Sequence, residues 1–264
     1  MTTIGSDPEI FISVDGKVVP APSLINHGKD NPTTHNGHLL HYDNATMEFT
    51  IEPSHTKEQF CREIEGGVEA VLSYLRGKYV DKDISSIILP SYEFEVEQML
   101  AIGKEVFVFG CESDFCAWSG MCNDAPSADD MMRTCGGHIH VGVDEEITPD
   151  YQIKLAKMMD FLLGIPSVLL DSDKKRVGRY GKAGAFRGKD YGIEYRVLSN
   201  FWLSKKEYME WVYEQSVKAV ETIEDLPKYL SFFGDNTDDV RNVINKHDSA
   251  TAREFVFEMG VAMP

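Results

Sequence analysis

Gly136-Gly137-His138-Ile139-His140-Val141-Gly142 is the stretch on which the reading of this chain turns. As a β-strand its period of two places His138 and His140 on one face and Ile139 and Val141 on the other, so two imidazoles enter one space. The glycines at either end remove side chains where the strand begins and stops, which lets a second backbone or a phosphate come close. A plain alternative is a strand with two half-exposed histidines beside a core. A same-face pair set between glycines favours a functional reading.

Working outward, the segments before this strand supply acids. Ile4 to Val14 reads as a strand interrupted at Pro8, and the turn Asp15-Gly16 with Lys17 to Pro20 completes a hairpin signal. Asp7 and Glu9 stand two apart, so in extended backbone their carboxylates share a face; side by side they repel unless a cation or a proton intervenes. A hard divalent ion is the natural counter-charge, although a polar surface turn reads equally well. Tyr42 to Glu52 alternates in its second half, with Thr46, Glu48, Thr50 and Glu52 opposite Met47, Phe49 and Ile51. Pro22 to Gly37 shows no periodicity and is expected to be a long loop, with His27, His35, His38 and His41 mostly solvated.

Beyond the His-x-His strand the balance of charge reverses. The window Lys174 to Arg196 holds Lys174, Lys175, Arg176, Arg179, Lys182, Arg187, Lys189 and Arg196, in a chain whose formal charge is −17. That acidity speaks against an extended nucleic-acid surface, because phosphate backbones need clustered Lys and Arg. A cationic window inside it suggests a site for a small anion, a nucleotide or a carboxylate, with a solvated loop as the plain reading. The window ends in Tyr191 to Leu198, where a strand puts Glu194 and Arg196 on one face; a simple salt bridge would explain that pair alone.

The remaining elements frame these segments. Apolar offsets of three and four predict an amphipathic helix from about Thr56 to Tyr79, and Thr148-Pro149 opens another that runs to about Leu163, with Pro166 marking a bend or new start. Ser85 to Met99 reads as strand, with Glu93, Glu95 and Glu97 facing solvent; Glu105 to Gly110 reads as a short apolar strand, Cys111 to Trp118 as a pocket-lining segment, and Met121 to Met132 as loop. From Lys205 onward the chain is helical, with a last helix around Asp238 to Lys246 and an ambiguous Phe255-Val256-Phe257.

At 264 residues, 42% hydrophobic and 26% charged, the chain can bury a sizeable core without disulfide or metal support. One domain over 1–264 is expected, with a motif core at 4–202 and a helical part at 203–264. No segment reaches the roughly 18 uninterrupted apolar residues of a membrane span, and no basic-then-apolar leader follows Met1, so a cytoplasmic location is expected. Cys61, Cys111, Cys116, Cys122 and Cys135 form no CxxC pair and read as thiols; the spacings among Cys111, Cys116 and Cys122 are loose for zinc.

Acids on strands, a His-x-His strand and an Arg-rich loop entering a Glu-x-Arg strand are what a site for metal-bound phosphates would contain. Neither GxxxxGK[ST] nor GxGxxG is present, so a nucleotide would need another architecture. The blocks Gly5-Ser6-Asp7-Pro8-Glu9, Asp43-Asn44 with Glu48-Phe49 and Glu52-Pro53, Gly136 to Gly142, Tyr180 to Arg187, and Glu194-Tyr195-Arg196 with Ser199-Asn200-Phe201-Trp202 together resemble the phage-type carboxylate-amine ligases (COOH.NH2 ligase, type 2). These are relatives of glutamine synthetase and glutamate-cysteine ligase.

The resemblance implies an α+β fold: an open, curved antiparallel sheet of the glutamine synthetase half-barrel kind, with helices on its convex face and ATP with Mg2+ (or Mn2+) in the trough. It implies that ATP phosphorylates a carboxylate and that an amine displaces the phosphate to form an amide. It carries metal binding to Glu9, Glu48 and Glu194 with Asp7 or Glu52 assisting, metal or phosphate contact to His138 or His140, and phosphoryl or carboxylate contact to Arg187 and Arg196. Arg176, Arg179 and Lys182 join the candidate nucleotide contacts. Partners would be small-molecule or peptide carboxylates and amines, with no membrane, and a homo-oligomer could wall the trough. Two other readings stay open: a zinc-type hydrolase built on His138, His140 and an acid, and a non-catalytic binding protein that retains a degenerate ligase site.

Overall fold

The structure is a computed structural model that describes residues 1–103, 114–123, 131–234 and 236–264. Its first strands follow the interruption at Pro8. β1 (Thr3–Ser6) and β2 (Glu9–Val14) are separate strands, and β2 turns through Asp15 and Gly16, both at positive φ, into β3 (Lys17–Val19). The region expected to be loop contains a further strand, β4 (Thr33–His35), which pairs with β5 (His38–Asp43). Its turn is Asn36-Gly37, both left-handed, the commonest sequence for a two-residue hairpin. β5 continues through Asn44-Ala45 to β6 (Thr46–Thr50).

Helix α1 (Lys57–Lys78) begins at Thr56, whose side chain accepts from the Gln59 amide, and buries Phe60, Ile64, Val71 and Leu75 at the expected spacing. Replacing Thr56 by Ala leaves that amide without its acceptor. The expected loss is about 1 kcal/mol of unfolding free energy, measured by urea denaturation.

After β7 (Ile84–Ile87) and β8 (Ser91–Glu93), the residues expected to continue as strand form α2 (Val96–Ile102). A capping box decides this: the Glu95 side chain takes the Gln98 amide while Gln98 returns to the Glu95 amide. The acids Glu93, Glu95 and Glu97 are exposed, as read. The strand expected at Glu105 to Gly110, the first three residues of the Cys111 to Trp118 segment, and Asp124 to Asp130 of the expected loop lie outside the described residues.

β9 (Phe115–Cys116), β10 (Met132–Thr134) and β11 (Ile139–Gly142) follow, then α3 (Pro149–Met159), a π-helical turn at Asp160–Gly164 and α4 (Ile165–Leu170) with Pro166 in its first turn. β12 (Ala185–Lys189) and β13 (Gly192–Tyr195) complete the strands. The end of the chain is helical: α5 (Lys206–Glu221), α6 (Leu226–Ser231), α7 (Thr237–Asn245) and α8 (Ser249–Met259), so Phe255-Val256-Phe257 resolves as helix.

The strands pair in antiparallel registers, in the orders β1-β11-β13-β12-β9 and β3-β2-β6-β5-β4, with β7 also on β2 and a β8–β10 pair beside them. The two larger sheets join where the chain crosses Asp7-Pro8. There Glu9 donates to Gly136 O at 3.0 Å, Ile51 donates to Ser6 O at 3.1 Å, and Ile4 exchanges both bonds with Ser54. The result is one curled antiparallel surface in an α+β fold. Alternation then assigns the faces: Ile10, Met47, Ile139, Val141, Ile193 and Tyr195 are buried in the core shared with α1, α3 and α5, and the residues between them turn to the other side. A smaller core of Phe11, Ala45, Phe94, Met99 and Cys135 closes one end of that second side.

Cys61, Cys116, Cys122 and Cys135 are thiols, as expected. Among the described residues no helix is long and apolar enough to cross a membrane.

Candidate active site

Two cross-strand rows build the site. In the first, Gly5 lies opposite His140, His140 opposite Glu194, and Glu194 opposite Arg187; in the second, Glu9 lies opposite Glu48 and Glu48 opposite His41. Directly opposed residues share a face, so pairing alone brings these side chains together. They line a cavity of about 280 Å3, along with Asp7, Asp43, His138, Lys29, Lys189 and Arg196.

Asp7 sits at the junction of the rows. Its Oδ1 is 3.4 Å from His138 Nδ1 and its Oδ2 is 3.3 Å from His140 Nε2. Burial alone would raise this carboxyl, but hydrogen bonds and charge from both histidines outweigh it and hold Asp7 well below the usual carboxylate range. The two imidazoles therefore do share a cavity, with one carboxylate between them. Burial and the Arg196 charge push the His138 imidazole down, against the pull of Asp7 and Glu194. The His140 Nδ1 lies 2.5 Å from the Tyr191 hydroxyl.

Glu194 is buried among cations. Lys189 Nζ is 2.8 Å from Oε2, Arg187 Nη1 is 3.5 Å from Oε1, and Arg196 Nη1 also contacts Oε1. Arg196 reaches Asp114 as well, at 3.4 Å.

Glu9, Asp43 and Glu48 form the opposite pole. Burial raises Glu9 and Glu48 well above the ordinary glutamate value, and the neighbouring acids push the same way. Ligand atoms of Glu9, Asp43 and Glu48 lie within 4.8 Å of one another, and those of Asp7, His140 and Glu194 do so separately. The donor set suits divalent cations: three carboxylates in one group, two and an imidazole in the other.

Of the residues read from the sequence, Asp7, Glu9, Glu48, His138, His140, Arg187, Glu194 and Arg196 meet in this cavity. Glu52 does not. Strand β6 ends at Thr50, and Glu52 is exposed beyond the last paired residue. Arg179 and Lys182 are not in the cavity lining, and Arg176 lines a different pocket. His38 and His41 are buried rather than solvated, since β5 is an inner strand of its sheet.

His41 also belongs to the cavity, with Nε2 3.4 Å from Glu48, and so do Asp43, Lys29 and Lys189. The Asn36-Gly37 hairpin signal would have exposed His41 and Asp43, which share a strand face two residues apart.

On the other side of β13, buried Asp160 accepts the Tyr195 hydroxyl at 2.7 Å and the Trp118 indole at 2.6 Å. Burial lifts its carboxyl to about 7 even so. Asp160 thereby anchors the strand between Glu194 and Arg196 to the π-helical turn.

Comparison with known proteins is specific in one place. Residues 125–232 match the family model of the phage phiEco32-like COOH.NH2 ligase-type 2. The match spans the His-x-His strand, the basic window and the Glu-x-Arg strand, and it names the family that the sequence motifs resemble. No curated protein matches the sequence. Among solved structures, a bifunctional glutathione synthetase from Pasteurella multocida is similar with a TM-score of 0.42 and 11% identity, over 98% of this chain and 49% of that one. The chain thus spans about half the length of that enzyme.

Proposed function

We propose that the protein is an ATP-dependent carboxylate-amine ligase, with its catalytic domain formed by the whole chain and its cavity working in the cytoplasm. The observation that carries this reading is the meeting of two carboxylate-rich groups with Arg187, Lys189 and Arg196 in one cavity. Glu9, Asp43 and Glu48 would hold one divalent ion, and Asp7, His140 and Glu194 another; such ions neutralise and orient phosphate oxygens.

Around them, Arg187 and Arg196 offer planar donors to the phosphoryl group, and Lys189 a point charge. The substrate carboxylate attacks the terminal phosphorus of ATP as the bond to ADP breaks; the amine then attacks the acyl carbon, and phosphate leaves as the amide forms. Fixed cations stabilise the charge that builds on the phosphoryl oxygens without reorganising.

The zinc-hydrolase reading is weaker on this geometry. It needs both histidines on one ion, whereas the His140 group of clustered ligand atoms does not include His138. It also leaves the three cations without a task.

The test is calorimetric binding of ATP with and without Mg2+, followed by a screen of carboxylate and amine pairs for phosphate release. Binding that requires the metal, with phosphate released only when both substrates are present, is the expected result. Absence of nucleotide binding overturns the reading.

Proton linkage gives a further prediction. Glu9 and Glu48 have raised values in the metal-free fold, so they hold protons above the pH at which a free glutamate has lost them. Their protonation stabilises the fold below the ordinary value, and that contribution is lost as pH rises through the raised one. A divalent ion needs both ionised, so binding Mg2+ or Mn2+ at a pH where the fold still holds these protons should release them. Calorimetry in buffers of different ionisation enthalpy measures this directly, and the release should shrink as pH rises.

A further inference from the structure

The basic window singled out in the sequence divides in the structure. Arg187, Lys189 and Arg196 face the large cavity, whereas Arg176 lines a second pocket of about 30 Å3. Ser167 and Asp171 at the end of α4, Val197 and Ser199 after β13, and His247 after α7 supply other parts of its wall.

Arg176 is 4% exposed. Its Nη1 donates to Val197 O at 2.7 Å, but Nε and Nη2 are buried with no acceptor. Those two nitrogens form one edge of the guanidinium, and their N–H bonds run parallel; this is the edge that a carboxylate grips with both oxygens. Leaving such donors unpaired in a buried cation is costly, so the fork calls for an anion.

The charges of Asp171 and Glu9 act on Arg176, but no nearby acid bonds to this edge. The Asp171 carboxylate accepts the Ser199 hydroxyl at 2.6 Å and the Asp173 amide at 2.9 Å. Asp173 is taken by the Ser91 hydroxyl and by the amides of Lys175 and Arg176. His247 lies beside the pocket, its Nε2 donating to the Asp171 carbonyl at 2.9 Å, which leaves the buried Nδ1 as an acceptor.

Size narrows the ligand. One water needs about 10–15 Å3 measured in this way, so the pocket has room for about two water-sized groups. Two carboxylate oxygens fit that space and a tetrahedral phosphate with its four oxygens does not. Exposed Lys174 and Lys175, next to Arg176 in sequence, add positive potential at the approach.

We propose that this pocket is a second anion site, which binds the carboxylate end of a small monocarboxylate through Nε and Nη2 of Arg176. The site is distinct from the large cavity. The two share no lining residue, and the Tyr180 ring lies 5.5 Å from the Arg176 guanidinium carbon and 5.2 Å from that of Arg196.

Acetate is the probe. Titrated into the metal-free protein and followed by nitrogen-15 NMR of the arginine Nε groups, it should shift one buried arginine resonance saturably, in the millimolar range. Chloride or phosphate at equal ionic strength should not. Arg176→Lys keeps the charge but loses the fork and should weaken acetate at least tenfold. An acetate response that is absent, is matched by chloride or phosphate, or is unchanged in a folded Arg176→Lys protein overturns the proposal. Neither nucleotide nor divalent metal enters this experiment, so its outcome is independent of the ligase reading.

Discussion

Glu194→Gln should weaken Mg2+-dependent ATP binding on the order of 100-fold or more and should also cost the metal-free protein about 3–5 kcal/mol. Both effects have one origin. Glu194 is 2% exposed and is the shared carboxylate of Arg187, Lys189 and Arg196. The amide keeps the shape but withdraws the charge, so buried Arg196 and the partly exposed Arg187 and Lys189 then face one another, which is the costly half of breaking a buried ion pair. The same change removes one of two carboxylates from the Asp7, His140 and Glu194 group. Calorimetry reads the first effect and urea denaturation the second. Stability lost with unchanged nucleotide affinity would assign Glu194 to the fold alone.

Gly137→Ala carries the next largest expected effect, a loss of about 1–3 kcal/mol together with a sharp drop in ligase turnover. A Cβ at Gly137 would collide with the Ser199 carbonyl and the Trp202 indole. Neither can retreat easily: Ser199 bridges to Gly136, and Trp202 is fully buried against Phe60 while its indole donates to Gly137 O at 3.2 Å. The strain must therefore pass into the strand, and the next residue is His138. Denaturation measures the stability loss, and activity assayed well below the new melting point separates displacement of His138 from partial unfolding. Wild-type turnover in a fully folded Gly137→Ala protein would show that the close approach at Gly137 does not position the site.

That pair of glycine and histidine also shows what the sequence made legible. The period of two located His138 and His140 correctly, because both faces of β11 are filled by fixed neighbours. The glycines around them were read as openings for a backbone or a phosphate, and the partner at Gly137 is backbone and indole. Glu9, Glu48 and Glu194 could be placed on one face of their own strands, but not against one another, since register between distant strands is written in pairing rather than in spacing. His41 is hard to read for a different reason: the Asn36-Gly37 turn lies inside a stretch rich in Pro, Gly and Asn, which masks the start of β5 at His38. Glu52 kept the alternation of β6 on paper, whereas the strand stops at Thr50. Tyr92, Phe94 and Val96 alternate with Glu93, Glu95 and Glu97 as a strand would, yet a capping box at Glu95 and Gln98 starts a helix at Val96.

The crossing at Asp7-Pro8 has one more consequence, for the order in which the molecule is made. β1 is bonded to a strand far downstream, and the Ser6 hydroxyl donates to the His138 carbonyl across 132 residues of sequence. Closing so long a loop comes at an entropic cost before the contact gives anything back. On the ribosome, β1 must wait for β11, and β11 in turn lacks its other neighbour until β13 has emerged. A nascent chain halted before Glu194 can own the hairpins and α1, but it cannot own half a cavity: the pocket comes into being at once, when β13 arrives, or not at all.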